Sequence, residues 1–230
     1  GRFSRYAQSD IQQGMALDVM VPQGHFGYQP QVGRCAEYLA IAAGSGITPM
    51  MAIIDATLAT EVDSRFTLVY GNRSSHSMMF RQALADLKDR YPQRLQVVHL
   101  FSQESMDSDL LQGRINGDKL RELAAHLLDF SRFEHAFICG PAAMMDEAEI
   151  ALRELGVPED AIHLERFNTP DSRARRATGV QAEGRAVTIR QDGRDRTIAL
   201  SAEDDSILDA ALRQGADLPF ACKGGVCATC

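Results

Sequence analysis

At 230 residues, with 45% hydrophobic and 24% charged side chains, the chain has an ordinary globular composition and length for one large domain or two smaller ones. A net charge of −7 argues against nucleic acid, which selects a basic surface, and suits a protein partner that carries a basic patch. Five cysteines, three of them in one C-terminal metal-type motif, do not read as a disulfide framework and point to a reducing, cytoplasmic setting.

The chain begins at Gly1 with no signal-like segment and ends inside its cysteine motif, so it reads as a fragment of a longer protein. Residues 1–32 read as the tail of a domain, with Val19-Met20-Val21 as a short strand and Pro22-Gln23-Gly24 as a turn. Tyr38 to Ile54 carries no charge, but Gly44-Ser45-Gly46 and Thr48-Pro49 interrupt it. A strand, a glycine turn and a helix start explain that stretch better than a membrane span.

Residues 33–167 alternate strand and helix. The expected strands are Leu39–Ala42, Phe66–Tyr70, Leu95–Phe101, Ala136–Cys139 and Ile162–Leu164. Between them, helices are expected over Pro49–Thr60, over Ser77–Arg90 with Met78, Met79, Leu84 and Leu87 at helical spacing, over Asp118–Leu128 with Leu120, Leu123, Leu127 and Leu128 on one side, and over Pro141–Leu155. Such alternation predicts an α/β fold, a parallel five-stranded nucleotide-binding sheet with helices on both faces. Residues 168–182, with Pro170, three arginines and Gly179, read as a solvated linker. Residues 183–230 restart with a hairpin around Asp192-Gly193 and a helix capped by Asp204-Asp205-Ser206, with Ile207, Leu208, Ala211 and Leu212 inward and Gly215 as its stop.

The chain closes on Cys222-Lys223-Gly224-Gly225-Val226-Cys227-Ala228-Thr229-Cys230. This C-x4-C-x2-C spacing matches the first three ligands of a plant-type [2Fe–2S] cluster, whose fourth cysteine comes later in the chain. A zinc site would show a second Cys or His pair nearby, and a thioredoxin-like Cys-x-x-Cys would follow a strand and open a helix. Neither context is present, so Cys222, Cys227 and Cys230 are read as cluster ligands.

Three further segments carry chemistry. Gly44-Ser45-Gly46-Ile47-Thr48-Pro49 follows the first strand and opens a helix, a context that suits a pyrophosphate, although proline stands where the third glycine of the dinucleotide fingerprint would be. The alternative is a tight turn with no ligand. The second strand runs out into Asn72-Arg73-Ser74 in place of the acidic residue that binds an NAD ribose, so Arg73 and Ser74 are assigned to a 2′-phosphate and NADPH is favoured over NADH. Arg81 is read as a surface arginine; the alternative is that it adds charge at this site. Cys139-Gly140-Pro141 ends a later strand at the edge where such sheets bind ligands, with Gly140 permitting close approach. Cys139 is placed beside the nicotinamide; the alternative is a buried small apolar residue.

In this order, Gly44–Pro49, Tyr70–Arg73, Cys139–Pro141 and the C-terminal cluster motif resemble the ferredoxin–NADP reductase superfamily, in its oxygenase-reductase branch with a fused plant-type ferredoxin domain. The resemblance implies a preceding flavin-binding β-barrel, of which residues 1–32 would be the tail, and a partial β-grasp ferredoxin domain at the end. It implies that Gly1-Arg2-Phe3-Ser4 holds the FAD pyrophosphate. Glu165 and Phe167 would lie near the flavin and nicotinamide, Met144 beside the coenzyme, and Thr48 and Cys139 against the reacting ring. FAD, NADPH and a [2Fe–2S] cluster are the implied cofactors, and the di-iron oxygenase subunit of a multicomponent complex the implied partner. A non-catalytic electron carrier is the reading from a different class.

Overall fold

The computed structural model describes residues 2–19, 26–166, 185–191, 193–201, 204, 206–216 and 218. A short helix, α1 (Arg2–Ser9), comes first. Of the strand expected at 19–21, Val19 belongs to no strand and the rest lies outside the described residues.

The sheet is built from β1 (Glu37–Ala43), β2 (Arg65–Asn72), β3 (Leu95–Phe101), β4 (His135–Cys139) and β5 (Ile162–Glu165). All four pairings are parallel, in the order β3-β2-β1-β4-β5. The helices that connect them are α2 (Ile47–Thr60), α3 (Arg81–Arg90), α4 (Gly117–His126) and α5 (Ala142–Glu154). Alternation along β1 explains the layering. Leu39 and Ile41 pack into one core with residues of α4 and α5, while Tyr38, Ala40 and Ala42 pack into another with residues of α2 and α3. A sheet buried on both faces needs continuous apolar strands, and β1 reads Tyr38-Leu39-Ala40-Ile41-Ala42, all at 0% exposure. Each large side chain among them, taken from water, stabilises the fold by about 1.5–3 kcal/mol.

The helix expected over Ser77–Arg90 is shorter. Ser74 and Ser77 close a reciprocal cap on a 3-10 turn over Ser75–Ser77, and Phe80 takes a left-handed backbone (φ 56°) before α3 starts at Arg81. Serine hydroxyls that bond the local backbone favour turns over helix interiors, which is why apolar spacing alone overruns here. In α4, Asn116 accepts from the Lys119 amide as the cap, and Leu127 falls past the last turn, 44% exposed rather than inward.

The segment before β1 is fastened to the sheet by a buried carboxylate. Glu61, at 0% exposure, accepts hydrogen bonds from the hydroxyls of Tyr38 (2.6 Å), Ser64 (2.7 Å) and Tyr28 (3.0 Å) and from the Gln31 amide (3.0 Å). Burial pushes its carboxyl up, but these donors outweigh that effect and hold it below the ordinary value.

Further along the chain, β6 (Ala186–Gln191) and β7 (Arg194–Ala199) form an antiparallel hairpin, and α6 (Ile207–Arg213) is capped by Ser206, whose hydroxyl accepts from the Asp209 amide. Ile198 packs with Ala210, Ala211 and Ala216. Ile207, expected inward, is 51% exposed, so the helix turns small residues rather than its first isoleucine to the hairpin.

Candidate functional site

The strand order reverses direction between β1 and β4, both parallel, so the loops leaving their carboxyl ends splay apart and open a crevice there. The predicted residues line this edge in spatial order. Asn72, Arg73 and Ser74 leave β2, Gly44 to Pro49 leave β1, Cys139 to Met144 leave β4, and Glu165 ends β5. Ala42 is in register with Cys139, and Cys139 with Glu165.

The glycine turn is a single 3-10 turn over Gly44–Gly46 that runs directly into α2, with Ile47 buried and Thr48 and Pro49 in the first helical turn. No side chain caps α2. The Thr48 hydroxyl donates to the Ser45 carbonyl (2.8 Å), which tightens the turn. A Cβ on Gly46 would stand 2.0 Å from the Cys139 carbonyl oxygen and 3.1 Å from the Gly140 nitrogen, so the turns after β1 and β4 touch backbone to backbone. On the other side of that contact, a Cβ on Gly140 would meet the Met144 methyl at 2.6 Å. Met144 therefore backs Gly140 and is itself buried in α5, and Pro141 starts that helix, also without a side-chain cap.

These features fit a dinucleotide. Two helix N-termini without side-chain caps, α2 and α5, present backbone N–H groups and a favourable field to an anion. The half-buried Asn72 side chain at the end of β2 lies against the Tyr70 hydroxyl, and this contact ties the end of β2 to the side chain that reaches the glycine turn. Arg73 is exposed and makes no ion pair among the described residues, and Ser74 is half-buried behind it.

Cys139 is at 0% exposure, packed with the α2-side core, so its thiol is closed off and its carbonyl is what meets the glycine turn. Burial, with the Glu165 charge adding, pushes that thiol up to about 12, which keeps it protonated at neutral pH. Burial also raises the carboxyl of the half-buried Glu165. Of the remaining candidates, Arg2, Phe3 and Ser4 open α1, while Gly1, Phe167, Cys222, Cys227 and Cys230 lie outside the described residues.

Two residues at this edge escape sequence reasoning. Tyr70 donates through its hydroxyl to the carbonyls of Gly44 (3.2 Å) and Met79 (3.4 Å), tying the glycine turn to the strained Phe80 turn. Glu104, beyond β3, accepts a 2.6 Å hydrogen bond from the Ser75 amide. Glu104 belongs to no motif, and although Tyr70 opens the Tyr70–Arg73 segment its tie to the glycine turn is not legible there; each contact is set by pairing between distant strands.

Residues 40–149 match the oxidoreductase NAD-binding domain model, and residues 189–230 match the model of the 2Fe-2S iron-sulfur cluster binding domain. Over its whole length the chain is 70% identical to a subunit of the 1,2-phenylacetyl-CoA epoxidase of Escherichia coli (strain K12), of which it spans 65%. It is 34% identical to the ferredoxin reductase component of 3-ketosteroid-9-alpha-monooxygenase from Mycobacterium tuberculosis (strain CDC 1551 / Oshkosh), spanning 61% of that relative. Among solved structures, the flavohem-like FAD/NAD binding domain of nitric oxide dioxygenase from Vibrio cholerae O1 biovar El Tor aligns with a TM-score of 0.60 at 31% identity, covering 72% of this chain and 64% of that one. No helix among the described residues is long and apolar enough to cross a membrane. With this strand order, this crevice and both domain models in sequence, the chain joins an oxidoreductase NAD-binding domain to a C-terminal 2Fe-2S cluster binding domain, the arrangement of a reductase of the ferredoxin–NADP reductase type.

Proposed function

We propose that the full-length protein is the NADPH-dependent reductase component of a multicomponent oxygenase, passing electrons through FAD and a [2Fe–2S] cluster to a di-iron oxygenase subunit. The oxygenase is the phenylacetyl-CoA epoxidase of aerobic phenylacetate degradation, a cytoplasmic system. The observation that carries this reading is 70% identity, over all 230 residues, to a subunit of that epoxidase. The 34% identity to a 3-ketosteroid monooxygenase reductase component favours a second reading, the same reductase chemistry serving another oxygenase.

The chain divides in this proposal into a flavin-domain tail (1–32), an NADP-binding domain (33–167), a linker (168–182) and a ferredoxin-type domain (183–230). Flavin, when bound, accepts electrons in pairs and releases them singly, which matches a two-electron donor to a one-electron cluster. The protein's own contribution is positioning. The N-terminus of α2 and the amides of Gly44–Gly46 hold the coenzyme pyrophosphate. Arg73 and Ser74 take the 2′-phosphate. Gly140, whose missing side chain makes room for the Met144 methyl, sets the end of β4 beside the nicotinamide, with Thr48 and Glu165 at its margins. Cys222, Cys227 and Cys230 ligate the cluster.

An anaerobic visible-absorption titration of the full-length protein, first with NADPH and then with NADH, tests this reading. Bleaching of flavin and iron–sulfur bands at low NADPH, with NADH much weaker, is the expected result. An equal response removes the 2′-phosphate assignment, and an iron–sulfur band that NADPH leaves oxidised removes the reductase.

A further inference from the structure

The loop that leaves β2 contains Arg73 and His76, and Arg81 is the first residue of α3, all exposed and none in an ion pair among the described residues. An anion is nevertheless already seated there. The Glu104 carboxylate accepts from the Ser75 amide at 2.6 Å, at the first residue of the 3-10 turn Ser75–Ser77. The two loops are held in register by the Ser102 and Gln103 amides, which donate to the carbonyls of Asn72 (3.0 Å) and Arg73 (2.8 Å). Glu104 therefore cannot drift from the loop that is to receive the coenzyme. The amide and side chain of Ser75 hold its carboxyl below the ordinary range, with His76 and Arg81 adding to the effect, so it is ionised at neutral pH.

We propose that Glu104 is a specificity-determining residue that occupies, from within the chain, the anion seat a coenzyme 2′-phosphate would use. This rests on the proposed use of Arg73 and Ser74 by that phosphate. A phosphate arriving beside Arg73 meets a fixed like charge at the Ser75 amide and must displace it or bear its repulsion. A coenzyme with a free 2′-hydroxyl meets no such cost. Arg73 and Ser74 attract the phosphorylated coenzyme, Glu104 subtracts from that preference, and the protein discriminates less sharply than its arginines alone would dictate. A carboxylate that merely caps the Ser75–Ser77 turn would affect both coenzymes alike, which separates the two roles.

The test is calorimetric titration of the full-length holoprotein, at fixed low ionic strength, with adenosine 2′,5′-bisphosphate and with adenosine 5′-monophosphate. Wild type, Glu104→Gln, Glu104→Ala and Arg73→Ala are compared. Removing one nearby charge should tighten the bisphosphate about tenfold in both Glu104 variants. The monophosphate should change by less than about twofold. A parallel change for both ligands, or no change for either, overturns the proposal. If Arg73→Ala abolishes the preference for the bisphosphate while the Glu104 variants are neutral, Glu104 falls and the 2′-phosphate assignment stands. If the Glu104 variants gain preference while Arg73→Ala has no effect, Glu104 stands and the Arg73 assignment falls. Failure of every variant to bind either nucleotide overturns both.

Discussion

A methyl group at position 46 would sit 2.0 Å from the Cys139 carbonyl oxygen, well inside van der Waals contact and against backbone that cannot rotate away. Gly46→Ala is expected to destabilise the protein by about 3 kcal/mol in chemical denaturation and to abolish adenine-nucleotide binding, because the two turns must separate. Gly44, which would meet nothing, holds its place for another reason, a left-handed backbone (φ 54°). Sequence alone marks both glycines as one turn. It does not tell which is held by space and which by backbone angle, since the obstacle to Gly46 arrives with a strand far along the chain. Glu104 is illegible for the same reason, because Ser75 becomes its neighbour only when β2 and β3 pair. Cys139 is legible in position but not in role, since its thiol turns into the core and its carbonyl faces the glycine turn.

Elements with strong apolar periodicity can be read with little error, because burial on both faces leaves a parallel strand no alternative pattern. Thus β3 spans Leu95–Phe101 as its residues predict, and β1, β2, β4 and β5 differ only at their ends. The start of α3 cannot be read that way, because serine caps and a left-handed Phe80 override the Met78-Met79 spacing. Polar fastening between elements is equally hidden. Glu61 joins the end of α2 to the segment before β1 through four donors, and its replacement leaves the Ser64 hydroxyl only the Arg34 carbonyl and the Tyr38 hydroxyl only that of Tyr28. Glu61→Leu should cost about 3–5 kcal/mol in urea denaturation, whereas Asp107→Asn, on an exposed loop, should cost less than about 0.5 kcal/mol. Equal midpoints for the two variants would remove the fastening role.

At the scale of the whole molecule, acid should act through half-buried histidines, His99 among them and a facing pair foremost. His135 and His163 approach to 3.1 Å, Nδ1 to Nε2, on strands β4 and β5, among the rings of Tyr28, Tyr38 and Phe137. Burial holds both imidazoles below the usual value of 6.5, Arg34 adding for His135 and the neighbouring His135 for His163, while the nearby acids Glu61, Glu134 and Asp160 pull the other way. A histidine with a lowered folded-state value binds its proton more readily when unfolded, so its contribution to stability is complete above about pH 6.5 and is lost as pH falls. Thermal midpoints should therefore decline between about pH 7 and pH 5, and His163→Phe should flatten that decline. A profile unchanged in the variant would exclude the pair as its source.

The Glu61 fastening lies at the amino ends of the strands, and the coenzyme turns lie at the carboxyl ends, a strand length of roughly 20 Å away. A load on the chain entering β1 is thus borne at the rim of the sheet opposite the proposed nucleotide site. Under the proposed function, anchorage and coenzyme exchange would be mechanically separate, with the sheet between them.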